Sequence, residues 1–291
     1  MTAHDSSLAS DLADAIAFDE NARLRLRSAK AFVFDMDGVL YLGNQPIPGV
    51  NDLFNALALR EIPFMLATNN STATAADYVA KLARMGIDVP ESAIFTSGIA
   101  TRDYLLENEK PDAGIFVVGM PGLREQLFNG TQFQAVQYGE VTPDVVVVGL
   151  DTTFTYDKLA QAHRAIRDGA RFVATNRDAT LPTEHGLMPG AGTMVAAIVT
   201  ATGQEPIVIG KPQPTTLLMA LHKLGVEPHD AVMVGDRLDT DILAGHRAGM
   251  LTVLVLTGVS TRDEVATAEA LPDLVFTDLN AVLEALNVDQ S

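Results

Sequence analysis

Short, almost wholly apolar runs recur along the chain between stretches of helical periodicity. Ala31–Phe34, 63–67, 115–118, Val145–Val148, 172–174, 231–234 and 252–256 have the length and composition of buried strands. Between them Val50, Leu53, Phe54 and Leu57 repeat at helical spacing, as do Leu159, Ala162 and Ile166, with Gly169 at the position that ends a helix. Leu217, Leu221 and Leu224 form a third stripe, opened by Pro212 and Pro214 and closed by Gly225. Strands without a polar face, alternating with helices, predict an α/β fold: a Rossmann-like parallel sheet covered on both sides. Residues 1–27, with Leu8, Leu12 and Ile16 on one face, predict an added helix docked on the core or on a partner. The stretch 111–205 carries its own set of strands and helices. It reads as a smaller α/β domain inserted into a core made of 28–110 and 206–291.

Composition narrows the class. The chain has 291 residues, 47% of them hydrophobic, enough for two packed cores and too apolar for a disordered chain. A formal charge of −17 argues against nucleic acid or an anionic membrane surface as partner, since both need clustered positive charge. With no cysteine there is no disulfide, thiolate metal site or thiol nucleophile. No run approaches the roughly 18 apolar residues of a membrane span. Asp5, Asp11, Asp14, Asp19 and Glu20 give the first 20 residues the wrong sign for a signal peptide, so a cytoplasmic location is expected.

Four segments carry candidate chemistry. In Phe32-Val33-Phe34-Asp35-Met36-Asp37-Gly38, a buried strand delivers two carboxylates to its C-terminal edge, where open α/β sheets bind ligands. Alternation along an extended chain puts Asp35 and Asp37 on one side, where like charges need a cation or a proton between them. Gly38 permits a sharp turn beside whatever is bound. In Ala67-Thr68-Asn69-Asn70-Ser71 a hydroxyl and two amides at a strand end suit phosphate oxygens, with Ser71 or Thr72 expected to cap the next helix. In Ile209-Gly210-Lys211-Pro212 the lysine stands in a loop, outside any Walker A frame. Gly235-Asp236-Arg237-Leu238-Asp239-Thr240-Asp241 puts three carboxylates at another strand end, hard oxygen donors of the kind that hold Mg²⁺. Of these, Asp239 is expected to cap the following helix. Arg237 either pairs with the Asp239–Asp241 run or touches substrate.

In this order the four segments resemble the haloacid dehalogenase-like phosphohydrolases, from about Lys30 to Leu286. With Asp37-Gly38-Val39-Leu40-Tyr41, Ile47-Pro48-Gly49 and Leu256-Thr257-Gly258-Val259, the chain is similar to the NagD, 4-nitrophenylphosphatase and phosphoglycolate phosphatase group, whose α/β cap is inserted between the second and third motifs. The resemblance implies a Mg²⁺-dependent phosphatase acting on a small phosphorylated metabolite. Asp35 would be the nucleophile that forms an aspartyl-phosphate, and Asp37 the acid and base. Asp35, the backbone carbonyl of Asp37, Asp236 and Asp241 would surround the metal. Gly38, Thr68, Asn69, Asn70 and Lys211 would bind the phosphate, with Lys211 also touching Asp35. A cap loop from Asn176-Arg177-Asp178 to Gly190-Ala191-Gly192 would set specificity, through Leu181, Glu184, His185 and Met188. Gly190-Ala191-Gly192 resembles half a dinucleotide fingerprint, but lacks the third glycine and is expected to follow no strand, opening a helix over 193–202. Relatives of this group also imply a homodimer through the cap. The alternatives are a phosphotransferase or mutase of the same superfamily and a catalytically silent binding protein.

Overall fold

The computed structural model describes residues 19–183 and 186–287. The anticipated stripe of Leu8, Leu12 and Ile16 lies outside the described residues, as do Glu184 and His185. After β1 (Ala31–Phe34), the short strands β2 (Tyr41–Leu42) and β3 (Gln45–Pro46) pair with each other. One sheet has six strands: β1, β4 (Phe64–Thr68), β5 (Ile94–Thr96), β13 (Ala231–Gly235), β14 (Leu251–Val255) and β15 (Leu274–Phe276), in the order β15-β14-β13-β1-β4-β5. The four pairings from β15 to β4 are parallel, with Phe32 opposite Val232 on one side and Phe64 on the other. Every residue of β1, β13 and β14 is buried, as a parallel strand with helices on both faces requires.

The chain lays down β1, β4 and β5 toward one edge, then returns to β1 and continues through β13, β14 and β15 toward the other. The order therefore reverses beside β1, and the crevice at the C-terminal ends of β1 and β13 is where such sheets bind ligands. Helix α1 (Glu20–Arg27) begins at Asp19, whose carboxylate accepts from the Ala22 N–H at 2.8 Å. It is tied to α8 (Leu279–Asn287) by the Arg27 Nε bond to the Ala285 carbonyl, 3.1 Å long. On α2 (Val50–Leu59) the four residues of the apolar stripe are buried, and Phe54 stacks on Phe64 at 4.3 Å between ring centroids.

Two compact units divide the chain: residues up to 67 with 79–94 and 211 onward, and residues 68–78 with 95–210. The second unit has a five-stranded parallel sheet of β6 (Gly114–Val118), β7 (Gln134–Ala135), β8 (Val145–Val148), β9 (Arg171–Ala174) and β12 (Ile207–Val208), in the order β12-β9-β8-β6-β7. Phe116, Val146 and Phe172 from its strands pack with Ile166 of α6 (Tyr156–Arg167) and Ile198 of α7 (Ala191–Thr202). This unit begins earlier than residue 111, the boundary expected from the sequence. Helix α4 (Ser97–Asn108) packs on α5 (Pro121–Phe128), and the Gln126 amide donates to the Ser71 and Ala73 carbonyls, at 3.1 Å each. Its oxygen accepts from the Thr96 hydroxyl. A buried, fully engaged glutamine leaves no trace in apolar periodicity.

Two local expectations are corrected. Gly190-Ala191-Gly192 does follow a strand: β10 (Thr180–Thr183) and β11 (Gly186–Pro189) form an antiparallel hairpin that runs directly into it, and α7 starts at Ala191 rather than 193. The glycines serve close approach, since a Cβ at Gly190 or Gly192 would lie 2.2 Å from the Asp178 carbonyl oxygen or 2.4 Å from that of Arg177. Likewise neither Ser71 nor Thr72 caps α3 (Ala75–Arg84). Thr74 does, its hydroxyl accepting from the Asp77 N–H while the Asp77 carboxylate accepts from the Thr74 N–H. Thr72 is instead held by the Asn70 side-chain oxygen at 2.9 Å. Among the described residues no helix is long and apolar enough to cross a membrane.

Candidate active site

Asp35 follows β1 and Asp236 follows β13, so the sheet itself sets their backbones side by side: the Asp35 N–H donates to the Val234 carbonyl at 2.9 Å. Asp241 arrives from a π-type turn over Leu238–Ile242, where the Ile242 N–H reaches back five residues to the Arg237 carbonyl. Turns of this kind are rare and concentrate at functional sites. One oxygen from each of Asp35, Asp236 and Asp241 lies within 4.8 Å of the others. Lys211 completes the group. Its Nζ is 2.5 Å from Asp35 Oδ1, 2.7 Å from Asp241 Oδ1 and 3.0 Å from the Ala67 carbonyl, and its side chain is only 2% exposed. An exposed loop lysine is excluded.

The electrostatics follow from this packing. Burial pushes the Asp35 carboxyl well above the usual range; Lys211 opposes this, while Asp241 and Asp236 add to it. Burial, then Asp241, raises Asp236 to about 7, with the Val259 N–H, Lys211 and Arg237 pulling the other way. Burial alone would lower Lys211, but the carboxylates of Asp241 and Asp35 more than reverse it, so its ammonium is held firmly charged. Three carboxylates face one ammonium, which leaves two negative charges in excess when all are ionised.

The donor set fits a hard divalent cation such as Mg²⁺. Asp236 Oδ2 accepts from the Val259 N–H at 2.7 Å, but its Oδ1 is buried without a hydrogen-bond partner, a costly state for a carboxylate unless something else satisfies it. The space is reserved by two glycines. A Cβ would lie 2.3 Å from Asp236 Oδ2 at Gly38 and 1.9 Å from it at Gly258, and Gly38 has a φ of +83°. The Thr257 hydroxyl donates to the Gly38 carbonyl at 2.6 Å and ties the two loops together.

Asp37 has different company. Extended alternation stops at Phe34, the chain turns at Gly38, and Asp37 stays exposed while Tyr41 Oη donates to its Oδ2 at 3.0 Å. Despite that exposure its carboxyl is raised, through lost hydration first, with Lys81, the Tyr41 hydroxyl and Lys211 opposing. Asp239 caps nothing: Arg237 forks onto its carboxylate at 3.0 and 2.8 Å, so the salt bridge is the alternative realised. Thr68 ends β4 with its Oγ1 accepting from the Asn70 N–H at 3.1 Å. The Asn69 amide donates to Asp178 at 3.1 and 3.2 Å, and the Asn69 carbonyl accepts from the Ser97 hydroxyl and the Asn176 amide. Asn69, Asn70, Asn176, Asp178, Thr180 and Leu181 line a small open cleft in the second unit. Met188 is half exposed. Sequence reading missed Gly258 and Val259 as partners of Asp236, and Lys81 beside Asp37. The signal for the first was a glycine just past a strand end; Lys81 looks like any polar helix residue.

Residues 32–130 match the haloacid dehalogenase-like hydrolase family, and residues 208–282 match a related hydrolase-like family. An acid sugar phosphatase of Staphylococcus aureus is 39% identical over 261 residues, covering 90% of this chain and 99% of that one. The crystal structure of a 4-nitrophenylphosphatase from Thermotoga maritima superposes with a TM-score of 0.84 at 38% identity, over 90% of this chain and 99% of that one. A glycerol phosphate phosphatase of Mycobacterium tuberculosis, solved with magnesium, gives 0.82 at 35% identity, over 88% and 78%. A parallel sheet whose strand ends gather three acids and a lysine, together with identity sustained over nine tenths of the length, means that this chain belongs to the haloacid dehalogenase-like hydrolase family.

Proposed function

We propose that this chain is a Mg²⁺-dependent phosphoric monoester hydrolase acting on a small hydroxylated phosphate through an aspartyl-phosphate. The observation that carries the reading is the buried trio of Asp35, Asp236 and Asp241 around Lys211, with its excess of negative charge and the unpartnered Asp236 Oδ1. Asp35, Asp236, Asp241 and the backbone carbonyl of Asp37 are the groups that would hold the cation. When bound it supplies charge neutralisation for a phosphoryl group that must approach three carboxylates.

The chain's own residues do the rest. Lys211 keeps the Asp35 carboxylate oriented and offers its remaining attraction to the phosphate. Asp35 attacks phosphorus, Asp37 gives its proton to the departing oxygen, and the same residue then takes a proton from the water that cleaves the acyl-phosphate. A raised Asp37 carboxyl suits the first of these steps, because it keeps the proton available. Thr68, Asn69 and Asn70 orient the phosphate. Selectivity belongs to the second unit, where the polar wall formed by Asn176, Asp178 and Thr180 suits hydroxyl groups and Leu181 offers an apolar contact. Sugar phosphates and polyol phosphates are the substrate class this supports, in line with the printed activities of the sugar and glycerol phosphate phosphatases.

The test is turnover of p-nitrophenyl phosphate and of a sugar-phosphate panel with Mg²⁺ and with chelator. Activity is expected only with the metal, and Asp35→Asn should lose at least about a thousandfold in kcat. Turnover indifferent to chelator, or undiminished in Asp35→Asn, refutes the proposal.

A further inference from the structure

We infer that Tyr41 and Lys81 are positioning residues for proton transfer: a buried phenol, steadied by an ammonium on its ring face, fixes the direction in which Asp37 meets the leaving oxygen. The inference rests on the reading of Asp37 as the acid of a phosphomonoester hydrolase.

Three observations converge. The loop after β1 closes on itself, with the Gly38 N–H donating to the Tyr41 carbonyl and the Leu40 N–H to the Met36 carbonyl, both at 2.9 Å. Residues 37 and 41 also form a bridge of their own. The Tyr41 ring is fully buried, yet its hydroxyl is spent on Asp37 Oδ2 at 3.0 Å. Lys81 then lies with Nζ 3.7 Å from the centre of that ring, and among the described residues it has no carboxylate at ion-pair distance. A partly buried ammonium normally seeks an acid. Here it attracts Asp37 from beyond ion-pair distance and rests on an aromatic face, an attraction of about 0.5–2 kcal/mol that holds the ring and the loop bearing it.

A filler role for Tyr41 explains the burial but neither the aimed hydroxyl nor the cation behind it. The consequence is geometric. The terminal torsion of an aspartate is broad and roughly two-fold, and an exposed carboxyl samples it freely. With Oδ2 accepting from the phenol, Oδ1 is the oxygen left to carry the proton. In the transfer, an Asp35 oxygen forms a bond to phosphorus and the phosphorus–ester oxygen bond breaks. Its electron pair stays on the ester oxygen, and the proton on Asp37 Oδ1 moves to that oxygen, releasing a neutral alcohol. An alkoxide is a poor leaving group and needs this proton, whereas p-nitrophenolate leaves almost unaided.

The experiment compares kcat/KM, which reports the steps up to alcohol release, for glycerol phosphate and p-nitrophenyl phosphate in wild type, Tyr41→Phe, Lys81→Met, Lys81→Arg and Asp37→Asn. Tyr41→Phe is expected to lose about tenfold on the alkyl ester and less than about threefold on the aryl ester, since positioning errors cost part of the 10²–10⁴ that general acids contribute. Lys81→Met should show the same bias at about threefold, and Lys81→Arg should recover it. Equal losses on both esters, or none, overturn the inference; if Tyr41→Phe does not fold, the Lys81 pair decides it by the same ratio. Asp37→Asn separates the two levels of argument. If it discriminates strongly between the esters while Tyr41→Phe does not, only the positioning role has failed. If it does not discriminate at all, the acid itself has been misassigned.

Discussion

Replacing Asp236 by asparagine is expected to stabilise the metal-free protein while abolishing its response to Mg²⁺. Asp236 is 1% exposed, has one unpartnered oxygen, and shares its crevice with the carboxylates of Asp35 and Asp241. Its carboxyl is raised to about 7 from an ordinary value of 3.8. Without a cation the folded state therefore binds a proton more tightly than the unfolded chain between those values. Stability falls as pH rises through the interval, is unaffected below it, and bears the whole penalty above about 7. Three pH units correspond to about 4 kcal/mol. Asparagine has the same shape without the charge: its oxygen can accept from the Val259 N–H, and its amide can donate to a neighbouring carboxylate. About half the penalty, ~2 kcal/mol, should return at pH 8, raising Tm by roughly 4–8 °C in EDTA. The gain should vanish by pH 4. Thermal melts of both proteins at pH 5.5, 7 and 8.5, with EDTA or Mg²⁺, are the assay. Mg²⁺ should raise the wild-type Tm more at pH 8.5 than at pH 5.5 and leave the variant unmoved. A variant less stable than wild type in EDTA at pH 8.5, or a difference that ignores pH, refutes the reasoning.

Gly258→Ala would set a methyl group 1.9 Å from Asp236 Oδ2, so the loop or the carboxylate must move. A loss of about a hundredfold in kcat/KM with an unchanged circular dichroism spectrum is expected, because a displacement near 1 Å costs that much. Leu181→His should reorder kcat/KM across a panel of sugar, nucleoside and glycolate phosphates while changing p-nitrophenyl phosphate turnover less than about threefold; an unchanged ranking removes the cleft from selectivity.

The sheet was legible because its strands are apolar on both faces. Val145–Val148 and Ala31–Phe34 carry the bounds read from composition alone; α2 buries the whole stripe that predicted it, and α6 buries Ala162 and Ile166 while Leu159 packs partly buried against the same core. The acids and the lysine were legible because polar residues stand abruptly at strand ends. What escaped depends on long-range satisfaction rather than period. The β10–β11 hairpin contains two prolines and almost no alternation, so nothing local marks it as extended. The second unit's early start rests on Gln126, three of whose partners lie 30 to 55 positions away. Lys81 sits three residues from the end of a helix whose polar positions look alike, and only the loop folding onto it from residue 41 gives it a distinct role.

The bond from Lys211 to the Ala67 carbonyl also has a topological consequence. Ala67 and Lys211 are the residues of the first unit that bracket the second, and the lysine that balances the acids also donates to the Ala67 carbonyl. The outer entry and exit of that module are thus stapled by the same ammonium that balances the acids. The chain between these two anchor points can therefore differ in length without the ends of the connection drifting apart.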